Sequence, residues 1–533
     1  MSLGDHQAAV EATLSELGEA DVPERIWRKD HTVWKPDPTE IADRLGWLTV
    51  TDLMEEQAAN LRAFAKDVKD KGVRHVVLLG MGGSSLGPEV LQSTFGSAPG
   101  YPELIVLDST VPDWIQSVTD VIDPAHTLFL VSSKSGGTVE TMTAYRYFRA
   151  IVDKTLGETA AGNCFVAITD SESPLERLAK TEGFLRVFAN PSTIGGRYSV
   201  LSYFGMVPAC LAGIDVSLLL DRADHLRESS ASCVSTDENP GVWLGSVMAT
   251  MAKAGHDKLT MLTSPTLSSF GLWAEQLIAE SLGKEGIGII PVAGEPLLAP
   301  QHYGDDRLFV YLRLDGDNAT DTDAGVEALR AAGHPIVQLD LRDRFDIGAE
   351  FYRWEFATAV AGAVLEVNPF NQPNVQSTKD KTAEVLKGYA SSGSLPDHEA
   401  STSLTDLLAG ASSGDYLAIM AYVEQTPATD TALESLRRQV MEKHRIATTV
   451  GYGPRFLHST GQLHKGGPIT GLFLQITTDY QHDIAIPGED YSFGTLADAQ
   501  SLGDLQTLES LGRRTAKARL TGDVAAGIEQ LHP

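Results

Sequence analysis

Short β-branched and apolar runs alternate with helical patterns through most of this chain, and that alternation limits its fold more than any other feature. Runs at 75–80, 104–107, 127–132, 164–168, 258–262, 287–292, 308–312 and 336–340 read as strands. Helical segments such as 139–150, 172–181, 272–281 and 349–364 lie between them. Strand, loop, helix and strand in succession predict a mostly parallel α/β sheet, because parallel neighbours need a crossover between them.

At 533 residues the chain exceeds what one hydrophobic core organises, so two or three domains are expected. Residues 1–70 read as helices interrupted by the KPDP stretch, Lys35 to Pro38. A first α/β domain is expected over 71–225, a second over 226–390, and a further α/β region over 400–533. The Ser/Gly-rich stretch 388–403 reads as a linker. Past it, GDYLAIM (414–420) echoes HDKLTML (256–262), and GLFLQITT (471–478) echoes RLFVYLRL (307–314). The echo reads equally as a partial internal repeat or as the general likeness of two βαβ units.

Formal charge is −29, which argues against nucleic acid or an anionic membrane surface as partner. The three cysteines, Cys164, Cys210 and Cys233, show no metal-ligand spacing, and a reducing compartment is the simplest reading. The N-terminus lacks an apolar signal core, and the longest uncharged stretch, 198–214, is short for a bilayer span. A cytoplasmic soluble protein is expected.

Two strand-to-helix corners carry chemistry. GMGGSSLGPE (80–89) places Gly82, Gly83, Ser84 and Ser85 where a strand must become a helix. It lacks the Lys of a Walker loop and the spacing of a dinucleotide fingerprint. Its glycines let the backbone approach a ligand, and its hydroxyls join the free N–H groups of the next helix, which favours an anion. SSKSGGTVET (132–141) has the same grammar, with Ser133, Lys134, Ser135, Thr138 and Thr141. One such corner is most often an ordinary tight turn, but two in one chain point to a phosphorylated small molecule.

With these residues in view, the chain resembles the phosphoglucose isomerase family from about residue 70 to 380. GMGGSSLGPE and SSKSGGTVET are similar to the family's glycine-serine motif and phosphate loop, and PSTIGGRYSVLS (191–202) to its Gly-Gly-Arg motif. AEQLIAESLGK (274–284) resembles the segment with the catalytic glutamate, and VNPFNQPNVQSTK (367–379) the C-terminal signature. The resemblance implies two sugar-isomerase (SIS) α-β-α sandwich domains, with the C-terminal α/β region added. It also implies glucose 6-phosphate to fructose 6-phosphate isomerisation through an enediol, without metal or organic cofactor. In this implied site, Ser133, Lys134, Ser135, Thr138 and Thr141 hold the sugar phosphate with Gly83 and Ser84 nearby. Arg197, after Gly196, lies by the reacting carbons; Glu280 is the base, with Gln372 and Lys379 opposite.

Those residue types suit the chemistry. One carboxylate within about 3 Å of two adjacent carbons can move a proton between them. A guanidinium supplies fixed positive charge for the developing oxyanion. Each residue alone also has a bland reading: a solvated helix carboxylate, an ion pair, solvated lysines, helix caps.

The family also uses a ring-opening histidine, commonly from the neighbouring subunit, which implies a homodimer. His458, in FLHSTGQLHKGG, sits in the better motif context, and His302, in APQHYGDDR, in the better position; His458 is favoured, His302 is second, and His464 follows. The C-terminal extension and the stretch 25–47 resemble the isomerase half of fused transaldolase–phosphoglucose isomerases, which implies a functional or genetic link to a transaldolase. Two further readings stay open: an isomerase that also takes mannose 6-phosphate, and a non-catalytic sugar-phosphate-binding SIS protein.

Overall fold

The computed structural model describes residues 3–396 and 402–533. Thirteen strands form three wholly parallel sheets among these residues. The first holds β1 (His75–Gly80), β2 (Glu103–Leu107), β3 (Thr127–Ser132), β4 (Phe165–Asp170) and β5 (Arg186–Asn190), in the order β2-β1-β3-β4-β5. The second holds β6 (Lys258–Thr263), β7 (Ile290–Val292), β8 (Arg307–Leu314) and β9 (Ile336–Leu341), ordered β7-β6-β8-β9. The third holds β10 (Tyr416–Tyr422), β11 (Ala447–Tyr452), β12 (Gly471–Thr478) and β13 (Arg514–Leu520), ordered β11-β10-β12-β13. All three sheets run second, first, third, fourth strand, so β10 and β12 hold the positions that β6 and β8 hold in the second sheet.

The central strands are apolar along their whole length because helices cover both faces. In β3 every residue is buried. Strands missed in the sequence are the less apolar ones: β5 and β13, at sheet edges, interleave arginine, lysine and asparagine with apolar residues. β11 is rich in threonine. β7 is shorter than the 287–292 run because Ile287 folds back to bridge Lys284 before the strand begins.

The N-terminal segment caps the first two units. Helix Val50–Asp70 buries Val50, Met54, Ala58, Leu61, Ala65 and Val68, the three-and-four spacing of one apolar face. Trp47 is fully buried, its ring 5.2 Å from Tyr198 and 5.9 Å from Tyr352.

The 388–403 stretch is only partly a connection. Helix Val375–Ser392 runs into it, and residues 397–401 lie outside the described residues. That helix packs on helix Phe493–Ser510 of the third unit, where an added Cβ on Gly503 would meet Thr382 at 2.8 Å. The second unit as drawn from the sequence therefore ends in a helix that covers the third.

Second and third units are stapled by buried polar groups. Glu295, after β7, accepts from Arg307 of β8 at 2.6 Å and from the backbone N–H and hydroxyl of Thr448 in β11 at 2.7 and 3.1 Å. Arg307 is fully buried. Replacing Glu295 leaves that guanidinium with only Asp306, at 3.8 Å, as a compensating charge, at a cost of about 3 kcal/mol. Glu295→Ala is expected to lower the free energy of unfolding by that amount, read as a lower denaturant midpoint, with secondary structure of the second and third units lost together when unfolding is followed by circular dichroism.

Candidate active site

The two glycine-serine corners leave the carboxyl ends of β1 and β3, which are adjacent, with Gly80 paired to Ser132. The chain runs from β1 outward to β2 and returns on the other side to β3, so the two corners flank a crevice at the point where strand order reverses. In the second corner, Ser133 Oγ lies 3.0 Å from Thr138 Oγ1 and accepts from the Gly136 N–H at 3.1 Å. Ser135 Oγ accepts from the Gly137 N–H at 3.3 Å. The hydroxyls thus gather above the N-terminus of helix Val139–Leu156, whose free N–H groups and dipole favour negative charge. Gly136 has φ +69°, and Gly137 faces open space. Thr141, one turn in, is buried with an unpartnered hydroxyl. Lys134 is turned aside: its ammonium pairs with Asp170 and donates to the Ser192 carbonyl at 3.1 Å.

The first corner is small because other backbones press on it. A Cβ on Gly83 would lie 2.0 Å from the Gly196 carbonyl oxygen; one on Gly82, at φ +55°, would lie 2.7 Å from the His458 carbonyl oxygen and 2.8 Å from Gln276 Nε2. These contacts bring the Gly-Gly-Arg turn, helix Phe270–Leu282 and the third unit together at one corner. Ser84 is buried there.

Arg197 and Glu280 meet at this junction, with Nε 3.6 Å from Oε2 and the arginine side chain 3% exposed. Gln276, one helical turn before Glu280, donates from Nε2 to Glu280 Oε2 at 3.1 Å and to the His458 carbonyl at 2.7 Å. The guanidinium also donates to the carbonyls of Phe370 and Asn371, at 3.1 and 3.3 Å, and to the Gln372 side chain. Lys284 ties the same loop down through Asn368 O at 2.7 Å and Asn371 O at 2.6 Å. Burial, with Arg197 close by, holds the Lys284 ammonium well below the usual lysine range.

His458, on the turn Arg455–His458 after β11, reaches Glu140 within the same chain, Nε2 to Oε1 at 2.9 Å. Burial alone would push the Glu140 carboxyl up, but His458 and then Lys379 bring it below its ordinary range. Gln500 donates to the same Glu140 oxygen at 2.7 Å and accepts from Thr110 at 2.7 Å. A cavity of about 190 Å³ opens here, lined by Gly137, Thr138, Glu140, Lys379, His458 and Lys465. Lys465 is neutralised by Asp504 at 2.7 Å, whereas Lys379 makes no ion pair among the described residues.

The competing histidines sit elsewhere. His302 lies on the turn Pro300–His302 between β7 and β8, its ring 3.4 Å from Gln301 Nε2. His464 is a core residue between the rings of Phe456 and Phe473, at 5.9 and 5.0 Å, and burial holds it well below the usual histidine range.

The structure thus puts Thr138, Lys379 and His458 on one cavity, with Ser133 and Ser135 on the same corner as Thr138, while Arg197, Glu280 and Gln372 meet at a junction that Gln276 ties to the His458 backbone and that Gly83 abuts through Gly196. Sequence reasoning missed Glu140, Gln276, Lys284, Gln500, and the pair Asp108–Arg455 that holds the histidine turn. Glu140 carried one signal, an acid in the first turn of the helix after the phosphate-type corner. Among the described residues no group of acids, histidines or cysteines is placed to hold a metal, and no helix is long and apolar enough to cross a membrane. The arrangement can seat an anion beside a buried acid–guanidinium pair and a histidine–carboxylate pair, which is equipment for moving protons on a phosphorylated small molecule.

A family model described as phosphoglucose isomerase matches residues 46–287. A glucose-6-phosphate isomerase of Staphylococcus saprophyticus is 28% identical over 420 residues, covering 70% of this chain and 94% of the relative. One from Staphylococcus aureus is 27% identical over 395 residues, covering 65% and 87%. Among solved structures, a hypothetical protein of Thermus thermophilus superposes with TM-score 0.61 at 26% identity, over 72% of this chain and 99% of that one. A glucose-6-phosphate isomerase of Chlamydia trachomatis gives TM-score 0.61 at 20% identity, over 72% and 87%, and shares the fold.

The hydroxyl cradle is testable without any substrate. Thr138→Val keeps the side chain's shape but removes one donor, so calorimetric titration with inorganic phosphate is expected to give about five- to tenfold weaker binding, about 1–1.4 kcal/mol. The unfolding midpoint is expected to stay near that of the parent.

Proposed function

We propose that the chain is a member of the phosphoglucose isomerase family that interconverts glucose 6-phosphate and fructose 6-phosphate with Glu280 as the proton-transfer base. The observation that carries this assignment is the buried meeting of Glu280 and Arg197 beside the first glycine-serine corner. The phosphate sits on Ser133, Ser135, Thr138 and the helix N-terminus, with Ser84 and Gly83 on the opposite wall. That anchorage turns the reaction at the far end of the sugar into an intramolecular step.

His458 opens the ring. With Nε2 engaged by Glu140, Nδ1 is the nitrogen left to pass a proton to the ring oxygen as the C1–O5 bond breaks, while the O1 hydroxyl gives up its proton to solvent to become the carbonyl; Lys379 lies on the same cavity wall. Glu280 then takes the C2 proton and returns it to C1, while a proton moves between O1 and O2. Arg197 faces the oxygen on which negative charge builds, fixed in place by the Phe370 and Asn371 carbonyls and the Gln372 side chain so that no reorganisation is needed at that moment. Gln276 holds the Glu280 oxygen in position and senses the His458 backbone, so base and ring-opening histidine are set by one amide.

The sequence-based expectation of a homodimer rests on a histidine crossing a subunit interface; His458 approaches within the chain, so the proposed reaction needs no partner subunit. Three unpaired cysteines support placing the activity in the cytoplasm. The link to a transaldolase stays part of the proposal, resting on the likeness of residues 25–47 and of the extension to the isomerase half of such fusions.

Glu280→Gln is expected to lower kcat by about 10³- to 10⁴-fold, measured by coupling glucose 6-phosphate formation to its dehydrogenase. In deuterated water the parent should exchange the C2 hydrogen and the variant should not. Near-parent turnover, or exchange that persists in the variant, removes Glu280 from the role of base.

A further inference from the structure

A second cavity, of about 160 Å³, lies where the second and third units meet. Leu86, Leu272 and Phe456 supply apolar wall, and Glu275, Asp430, Arg437 and Arg455 supply charge, Asp430 being held by the Tyr452 hydroxyl at 2.6 Å. Glu275, on the same helix as Glu280, is 6% exposed; among the described residues its carboxyl has no hydrogen-bond partner and no ion pair within 4 Å. Burial, opposed by Arg437, pushes its pKa up to about 8. Arg437 gives four of its five N–H groups to Thr448 Oγ1, Thr448 O, Ala293 O and Gly294 O, at 2.6 to 3.0 Å. One Nη1–H is left over, and Arg437 likewise has no ion pair within 4 Å among the described residues. Arg455, by contrast, is balanced by Asp108 at 2.8 Å.

A buried acid and a buried guanidinium therefore line one space without touching each other. Groups so costly to bury unpaired are normally satisfied by something between them. The space exceeds the single probe sphere that a lone water needs, and its wall is largely apolar. We propose that this cavity binds a small carboxylic acid of about three or four carbons. Its carboxylate accepts from the free Nη1–H of Arg437 and from the Glu275 carboxyl, and its carbons lie against Leu86, Leu272 and Phe456. Arg455, Phe456 and Ser459 belong to this wall while His458, between them, lines the larger cavity, so the histidine turn separates the two sites.

Calorimetric titration of the full-length protein with L-lactate, glycine and glycerol tests this at constant ionic strength. L-lactate is expected to bind saturably, with Kd in the region of about 1 mM, and the zwitterion and the polyol at least about tenfold more weakly. Glu275→Gln keeps a donor in place and should retain lactate binding, while Glu275→Leu should weaken it about tenfold. Ser268→Trp, at an exposed position on the cavity wall, should abolish binding with melting temperature and basal isomerase turnover unchanged. Absence of saturable lactate binding overturns the proposal. So does glycine or glycerol binding as tightly as lactate, or loss of lactate binding in Glu275→Gln. Lactate binding that survives Ser268→Trp places the carboxylate elsewhere, the phosphate cradle included, and overturns it as well.

Discussion

The candidate site depends on one buried ion pair. Asp108, just past the carboxyl end of β2, receives Arg455 from the third unit at 2.8 Å through both Nε and Nη2, and the Ser85 hydroxyl at 2.9 Å. Both charged side chains are nearly inaccessible. Removing either member would strand the other charge in low dielectric, so the pair holds its geometry closely. Through it the first glycine-serine corner and the turn carrying His458 become one rigid piece. Gly82 must be glycine because that piece brings the His458 carbonyl onto it, and Gln276 then reads the same carbonyl from the second unit.

Three sheets of one topology divide the work between them. The first supplies the anion cradle at its reversal point, between β1 and β3. The second supplies Glu280 from the helix that follows β6, its opening strand. The third supplies His458 from the connection between β11 and β12. His302 lies in the matching connection of the second sheet, between β7 and β8. The two histidines that compete in the sequence thus hold equivalent places in two units of the same design, which is why position favours one and motif the other. Only the third unit's copy is brought to a carboxylate, because only that connection is anchored to the first sheet by Arg455.

The strands with continuous apolar runs, β1 and β3 above all, were legible to within a residue or two, since burial on both faces leaves no other composition. Edge strands such as β5 and β13 were not, because one open edge relaxes that demand. The glycine-serine corners stood out as candidate anion corners from residue type alone, but not as neighbours: that follows from strand order, which no local pattern records. Glu280 and Arg197 needed the family resemblance, since a helix glutamate or a turn arginine is ordinarily solvated. Asp108, Glu140 and Gln276 were illegible for a deeper reason. Each acts on a group that is remote in sequence, 347, 318 and 182 residues away in their hydrogen bonds.

The distribution of charge within the site carries its own logic. In a chain of net charge −29, two of the three lysines at the candidate cradle are neutralised, Lys134 by Asp170 and Lys465 by Asp504, and only Lys379 of the three makes no ion pair among the described residues. An anion at that corner would meet hydroxyls, backbone N–H groups and a helix dipole, with Lys379 as the one unpaired lysine on the wall. Strong cations there would tighten substrate, transition state and product alike, which raises affinity without raising turnover. Fixed positive charge also stands at Arg197, against Glu280, where in the proposed reaction negative charge grows only as the proton moves. In the proposed reaction, mostly neutral donors at the anchored end and a fixed cation at the reacting end would let a product identical in charge and phosphate to its substrate leave as readily as the substrate arrives.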